Sequence, residues 1–265
     1  MDARKRRAMS LARLKYDLGR HVFGVAAIVF GAMTWLFHDV DTWPQLQMFG
    51  NGPVRAAIVY LAATIAFAGG IAIDWRRTAR IGAAMIGALF LFSALCWVPR
   101  IFQAPLIYDR WGNFFEPFSI FAGALIVYGS LTTPRVARIG QTCLGVSVVS
   151  FALEQAFYLS ATAGFVPKWF PPGQMFWAVA TTIAFLLAAA AILSGQFALL
   201  AARLLTVMLL LFGLLVWVPA LLADAHSLNN RSESLETLWI AAAAWILADY
   251  LGAVNDRRGR GVTAV

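Results

Sequence analysis

Apolar and polar positions along the chain fall into long blocks, not short alternations. Apolar stretches of the length a helix needs to cross about 30 Å of hydrocarbon occupy residues 19–37, 55–73, 81–99, 113–130, 137–161, 176–194, 199–222 and 235–252. Blocks of this kind predict spanning helices, because within lipid each backbone N–H and C=O must find its partner inside its own helix. The pattern therefore predicts an all-α polytopic membrane protein with eight transmembrane helices.

Composition points the same way. Mean hydropathy is +0.73 and only 13% of residues are charged, against about 25% in soluble domains. The formal net charge of +8 matters through its distribution. Arg4, Lys5, Arg6, Arg7, Arg13, Lys15 and Arg20 lie at or before the start of the first block; Arg76, Arg77 and Arg80 follow the second. Arg135 and Arg138 follow the fourth block, Arg203 lies near the sixth-to-seventh connection, and Arg257, Arg258 and Arg260 follow the last. The opposite side keeps Arg55, Arg100, Arg110, Lys168 and Arg231. The positive-inside rule then gives an N-in, C-in topology. Basic ends resting beside anionic lipid account for the charge, and no nucleic-acid partner is expected, since no basic segment interleaved with aromatics forms a soluble domain. The first block lacks a small-residue cleavage site and follows a longer basic leader than a cleaved signal carries. It is expected to stay as a span.

The chain also repeats itself. Leu91, Phe92, Leu95, Trp97, Val98 and Pro99 recur as Leu211, Phe212, Leu215, Trp217, Val218 and Pro219, and Glu116 recurs as Glu236, all at an offset of 120. Phe23-Gly24 aligns with Leu144-Gly145 and Phe30-Gly31 with Phe151-Ala152 at 121, while Thr64-Ile65-Ala66-Phe67 returns as Thr182-Ile183-Ala184-Phe185 at 118. Four spans per repeat is an even number, so the second copy enters the membrane as the first does, which makes the repeats parallel. The expected organisation is a basic arm over 1–16, a first four-helix repeat over 17–130, a linker over 131–136, a second four-helix repeat over 137–252 and a basic tail over 253–265. Each repeat is expected to form a four-helix bundle, with small residues such as Gly24, Gly31, Gly69 and Ala241 to Ala244 allowing close helix approach.

Candidate chemistry gathers on the outer side. Glu116 and Glu236 open the fourth and eighth spans, beside Trp97-Val98-Pro99-Arg100 and Trp217-Val218-Pro219, which are expected to close the third and seventh. Two roles stay open for them. A carboxylate near a helix start is favoured by the dipole and accepts free N–H groups there, while an ionisable residue in a span marks a pathway or ligand site. Glu154 and Gln155 lie in the outer part of the fifth span, with Phe151 and Tyr158 on the face of Glu154. The first repeat carries Met33 where the second has Glu154, and the second has Ala220 in place of Arg100, so these features break the symmetry. Arg100 is the expected counter-charge for Glu116 or Glu154. His38 and His226 fall on the outer side and His21 on the inner, while Asp249 and Tyr250 are expected to anchor the inner end of the last span.

Several classes fall away. Cys96 and Cys143 sit toward opposite membrane faces, too far apart to pair, and no Cys-x-x-Cys relay exists. Paired axial histidines for a haem are missing, as are phosphate-loop and His-Glu-x-x-His patterns. No metal or covalently held cofactor is expected.

Phe151-Ala152-Leu153-Glu154-Gln155-Ala156-Phe157-Tyr158, Val166-Pro167-Lys168-Trp169-Phe170-Pro171, Phe176-Trp177 and Val216-Trp217-Val218-Pro219 together resemble the DoxX-like family of small four-helix membrane proteins. The family's Phe-Gly-x-x-His motif ends here in Gln155 and Thr34, so a role for that histidine does not carry over. The acidic residue opening the family's fourth helix is similar to Glu116 and Glu236. The resemblance implies a bacterial inner-membrane subunit serving a quinone-linked oxidoreductase, with a quinone or other lipidic small molecule held in an outer-leaflet pocket. Candidate ligand-binding residues are Glu154, Gln155, Arg100, Glu116, Glu236, Tyr158, Trp97 and Trp217. The competing expectations are a non-enzymatic scaffold or assembly factor for a membrane-protein client, and a small-solute transporter.

Overall fold

In a computed structural model the chain is described over residues 17–38, 46 and 49–262, with side chains through Arg257. The basic arm over 1–16, the outer residues Asp39, Asp41, Trp43 and Pro44, and the side chains of Arg258 and Arg260 lie outside the described residues. The fold is all-helical, with no strand among the described residues. The helices are α1 (Leu18–Phe37), α2 (Pro53–Asp74), α3 (Ala79–Gln103), α4 (Asp109–Ser130) and α5 (Pro134–Phe157). They continue with the short α6 (Leu159–Phe165), α7 (Gln174–Ser194), α8 (Ala198–Ala223) and α9 (Leu228–Val262). Among the described residues seven helices are long and apolar enough to cross a membrane: α1, α2, α3, α5, α7, α8 and the Leu228–Arg257 part of α9. The protein is a multi-pass membrane protein. α4 is also 22 residues long but carries Asp109, Arg110 and Glu116.

The helices pass their duplicated prolines instead of ending there. α3 runs on to Gln103 beyond Pro99, and α8 reaches Ala223 beyond Pro219. Proline lacks an N–H and crowds the carbonyl four residues back, which a helix accommodates freely only in its first turn; Pro99 interrupts the ladder one turn before the end of α3, while Pro219 falls in the first turn of the α-helical segment that follows a π turn. In α8 a π turn over Gly213–Trp217 precedes the proline, with the Val218 N–H reaching back to the Gly213 carbonyl, so the ladder is already rearranged where the ring enters. α5 stops earlier than its apolar block. Tyr158 leaves the helical region, and its hydroxyl accepts the Asp109 N–H at 3.2 Å, satisfying one of the donors that the start of α4 leaves open. α9 begins earlier than its block because its start is capped. Asp224 Oδ1 accepts the N–H groups of His226 and Ser227 at 3.0 and 3.1 Å, and Ser227 Oγ accepts that of Asn230 at 3.3 Å.

The long helices close into a ring. Each of α1 to α5 packs on the next, α5 packs on α7, α7 on α8, α8 on α9, and α9 on α1. α4 and α9 also meet across the middle. The contacts that close each half of the chain thus come mainly from the other half. At the α4–α9 crossing a Cβ on Gly123 would lie 2.6 Å from the Ala243 Cβ, so the two helices meet there in a packed seam. The core centres on Trp239, wholly buried, with ring centroids 4.5, 5.5 and 5.7 Å from Phe90, Phe30 and Phe23. Edge-on aromatic packing of this kind adds about 0.5–1.5 kcal/mol per pair beyond area burial.

The end of the ring carrying Leu18 is termed inner, and the opposite end outer. At the inner end, Asp249 Oδ2 accepts the Gly19 N–H at 2.9 Å, so α9 caps the start of α1. Arg20 donates to the Asp74 carbonyl at 3.2 Å, His21 Nδ1 lies 3.1 Å from Asp74 Oδ1, and Arg76 pairs with Asp17. Gln141, in α5, donates to the Ile192 carbonyl at 2.8 Å. Arg20 and Gln141 are related by the 121 offset, and Asp74 and Ile192 by the 118 offset, so the two bonds join equivalent positions.

Candidate functional site

The outer half of the ring gathers acids. Glu116 lies two turns into α4, Glu236 two turns into α9, and Glu154 at the outer end of α5. Asp109, Glu154, Glu233 and Glu236 all lie within coulombic reach of Glu116, and Asp109 and Glu233 within reach of Glu154. Glu236 is buried at 4% exposure, while Glu116 and Glu154 are half-buried. Three helices thus bring carboxylates to the outer half of the ring, where charge is expensive to keep.

Gly112 makes the approach of Glu154 to α4 feasible. A Cβ there would overlap the Glu154 carboxyl group, which rests directly on the helix backbone. Tyr108, just before α4, donates to Ser150 Oγ at 3.1 Å and stacks on Phe157 with centroids 5.0 Å apart. Burial raises its phenol above the ordinary range. Around Glu154, then, α4 and α5 are tied by Tyr108 to Ser150 and by Asp109 to Tyr158.

The other candidates separate. Gln155 is engaged with α7, its Oε1 accepting from Thr181 and Thr182 at 3.1 and 3.2 Å. The Arg100 guanidinium lies 5.7 Å from the Trp97 ring centroid, within the range of a cation–π contact. Trp217 packs on Phe165 of α6 at 5.8 Å. The backbone beside both prolines is held alike. Arg110 donates to the Arg100 carbonyl, and Asn230 Nδ2 to the Ala220 carbonyl at 3.0 Å. Both donors and both acceptors are related by the 120 offset, although none of the four residues is identical across the repeat.

Four contributors were not singled out from the sequence. Glu233 stands one turn from Glu236 on the same face of α9, a spacing readable beforehand. Arg231, 8% exposed, donates to the Ala225 and His226 carbonyls at 3.2 and 3.0 Å and lies 3.6 Å over the Phe37 ring, locking the outer ends of α9 and α1 together. Trp239 and Ser93 lie deeper. The Trp239 indole N–H and the Ser93 hydroxyl are buried with no hydrogen-bond partner among the described residues. A tryptophan and a serine inside apolar runs give no such signal in a sequence.

The histidines stay outside this site. His38 Nδ1 meets the Tyr60 hydroxyl at 2.8 Å on the exposed outer surface, His226 is exposed, and His21 belongs to the inner network. No grouping of three or more His, Cys, Asp or Glu suited to a metal occurs among the described residues. Cys96 and Cys143 are free thiols.

No family model, curated protein or solved structure matches the chain. The site must be read from its own chemistry. Carboxyl groups can take and release protons, and buried indole and hydroxyl donors can hold a carbonyl oxygen.

Proposed function

We propose that the chain is a DoxX-like integral membrane subunit that binds a quinone or similar lipidic molecule in the outer half of its helical ring and serves a quinone-linked oxidoreductase partner. One observation carries the reading: Glu116, Glu154, Glu233 and Glu236 converge from three helices in the outer half of the ring. Natural membrane proteins keep such charges for pathways and ligands. The Trp239 N–H and Ser93 O–H add donors without acceptors, and a quinone head group offers carbonyl oxygens and exchanges protons as it is reduced. In this reading α4 is the eighth span, the topology is N-in and C-in in a bacterial inner membrane, and two parallel four-span repeats make up the ring. The matching pairs of hydrogen bonds at Arg110 and Asn230, and at Arg20 and Gln141, support the duplication.

A second reading, a scaffold for membrane-protein assembly, is favoured by the packed α4–α9 seam at Gly123 and Ala243. Purification in mild detergent followed by mass spectrometry of the lipid extract separates the two. The ligand reading expects a copurifying quinone that Glu154→Gln loses. A stable protein partner with no small molecule in the extract overturns it in favour of the scaffold.

A further inference from the structure

The inner ends of the two halves are built on the same plan but differ in charge. In the first, Asp17 pairs with Arg76, and Asp74 receives His21. The sequence offsets put Arg138 where the first half has Asp17, Ser194 where it has Arg76, and Ile192 where it has Asp74. Both acids are gone from the second half, and a cation stands in place of one of them. The space is correspondingly open: a cavity of about 430 Å³ lies where α5 begins, α7 ends, α8 begins and the last turns of α9 pass.

The lining suits an anion with an apolar tail. Arg138, Gln141, Ser194, Tyr250 and Asn255 present polar groups, and Phe197, 79% exposed, leads a wall of apolar side chains. No carboxylate lines the cavity among the described residues. Gln141 donates to the Ile192 carbonyl, Ser194 to the Ala191 carbonyl at 3.4 Å and Thr142 to the Arg138 carbonyl at 3.1 Å, which leaves Arg138, Tyr250 and Asn255 as the donors along the lining. Arg135, Arg203 and Arg257 sit on three of these four helices, α5, α8 and α9. The cavity lies at helix ends, the level at which lipid headgroups meet a spanning protein.

We propose that this cavity binds the phosphate headgroup of an anionic phospholipid, with Arg138 as the charge partner and the Tyr250 hydroxyl and Asn255 amide as donors. The external phosphate supplies the negative charge that Asp17 and Asp74 supply in the first half. A guanidinium suits a phosphate through paired N–H donors, and basic pockets between spanning helices are recognised lipid sites. The inference is independent of the outer carboxylates.

The test uses the full chain in mixed detergent micelles containing dioleoyl phosphatidylglycerol or dioleoyl phosphatidylcholine, read by native mass spectrometry and thermal unfolding. The wild type is expected to retain phosphatidylglycerol at least about tenfold better than phosphatidylcholine, and Arg138→Gln to weaken that retention about tenfold, the loss of one charged hydrogen-bonding partner. Arg135→Gln, one turn nearer the start of the same helix, is expected to keep it. Ser194→Asp supplies an internal acid beside Arg138, as Asp17 does beside Arg76, and is expected to lower lipid retention about as much while raising the unfolding temperature. Equal retention of the two lipids, equal losses in the Arg135 and Arg138 variants, or full retention in Arg138→Gln would overturn the proposal. Displacement of phosphatidylglycerol by millimolar inorganic phosphate would also overturn it, in favour of a soluble anion.

Discussion

At its inner end the ring sets acids against basic groups, and at its outer end it draws carboxyl groups toward one another. Inside, Arg76 meets Asp17, His21 meets Asp74, and Asp249 caps the backbone at Gly19. Each of these contacts ties one helix to another, so these three inner contacts serve architecture. Outside, Glu116 has four other carboxylates within coulombic reach. Carboxyl groups gathered in a half-buried place are costly to desolvate, and packing elsewhere must offset that cost. The difference teaches which polar residues hold the ring together and which the ring is built to hold.

The strongest way to break this comparison is through Trp239, which belongs to both functions. Trp239→Ala removes the centre of the aromatic core and is expected to lower stability by about 3–5 kcal/mol, seen as a large fall in the unfolding temperature in detergent. Trp239→Phe keeps most of the packing and is expected to cost less than about 1.5 kcal/mol, since the indole N–H has no partner to lose among the described residues. If the outer site takes a carbonyl oxygen from a ligand, Trp239→Phe should nevertheless lose copurifying quinone. A phenylalanine variant as unstable as the alanine one would show that the N–H has a structural partner.

Next in size is the inner cap. Asp249→Ala leaves the Gly19 N–H without its acceptor and is expected to cost about 1–3 kcal/mol, with faster hydrogen exchange at the start of α1 and no change in quinone content. Loss of quinone in this variant would erase the division between architectural and functional ends.

Seven of the apolar blocks were legible as long apolar helices because lipid forces such blocks, and the duplicated Trp-Val-Pro and its glutamate were legible because their order and offset repeat. Physical reasons explain what stayed hidden. The prolines read as helix ends, yet Pro99 and Pro219 lie close enough to the termini for the helices to continue past them, with a π turn absorbing the change in α8. Glu116, Glu154 and Glu236 were visible as outer carboxylates, but their meeting depends on α4 packing on both α5 and α9, a ring closure that hydropathy does not encode. Gln155, adjacent to Glu154 in sequence, faces α7 instead, because neighbouring residues on a helix point about 100° apart. The Asp17–Arg76 pair joins residues 59 positions apart, and the inner cavity draws on three separate segments. Neither leaves a local pattern.

The smallest effect should also be the clearest in sign. Arg76→Gln removes one member of a partly exposed ion pair with Asp17, and such pairs contribute about 0.2–1 kcal/mol, so stability should fall slightly and the loss should shrink at high salt as screening weakens the wild-type pair. Glu154→Gln removes a half-buried carboxyl group that has Asp109 and Glu233 within coulombic reach, so stability should rise, by up to about 1 kcal/mol, and that gain should also shrink at high salt. Thermal unfolding of both variants across a salt series measures the two signs together. Opposite signs follow if charge is paired at one end and carboxyl groups are gathered at the other. A fall in both would mean that Glu154 is held by a structural partner, and the outer end would then be as architectural as the inner one.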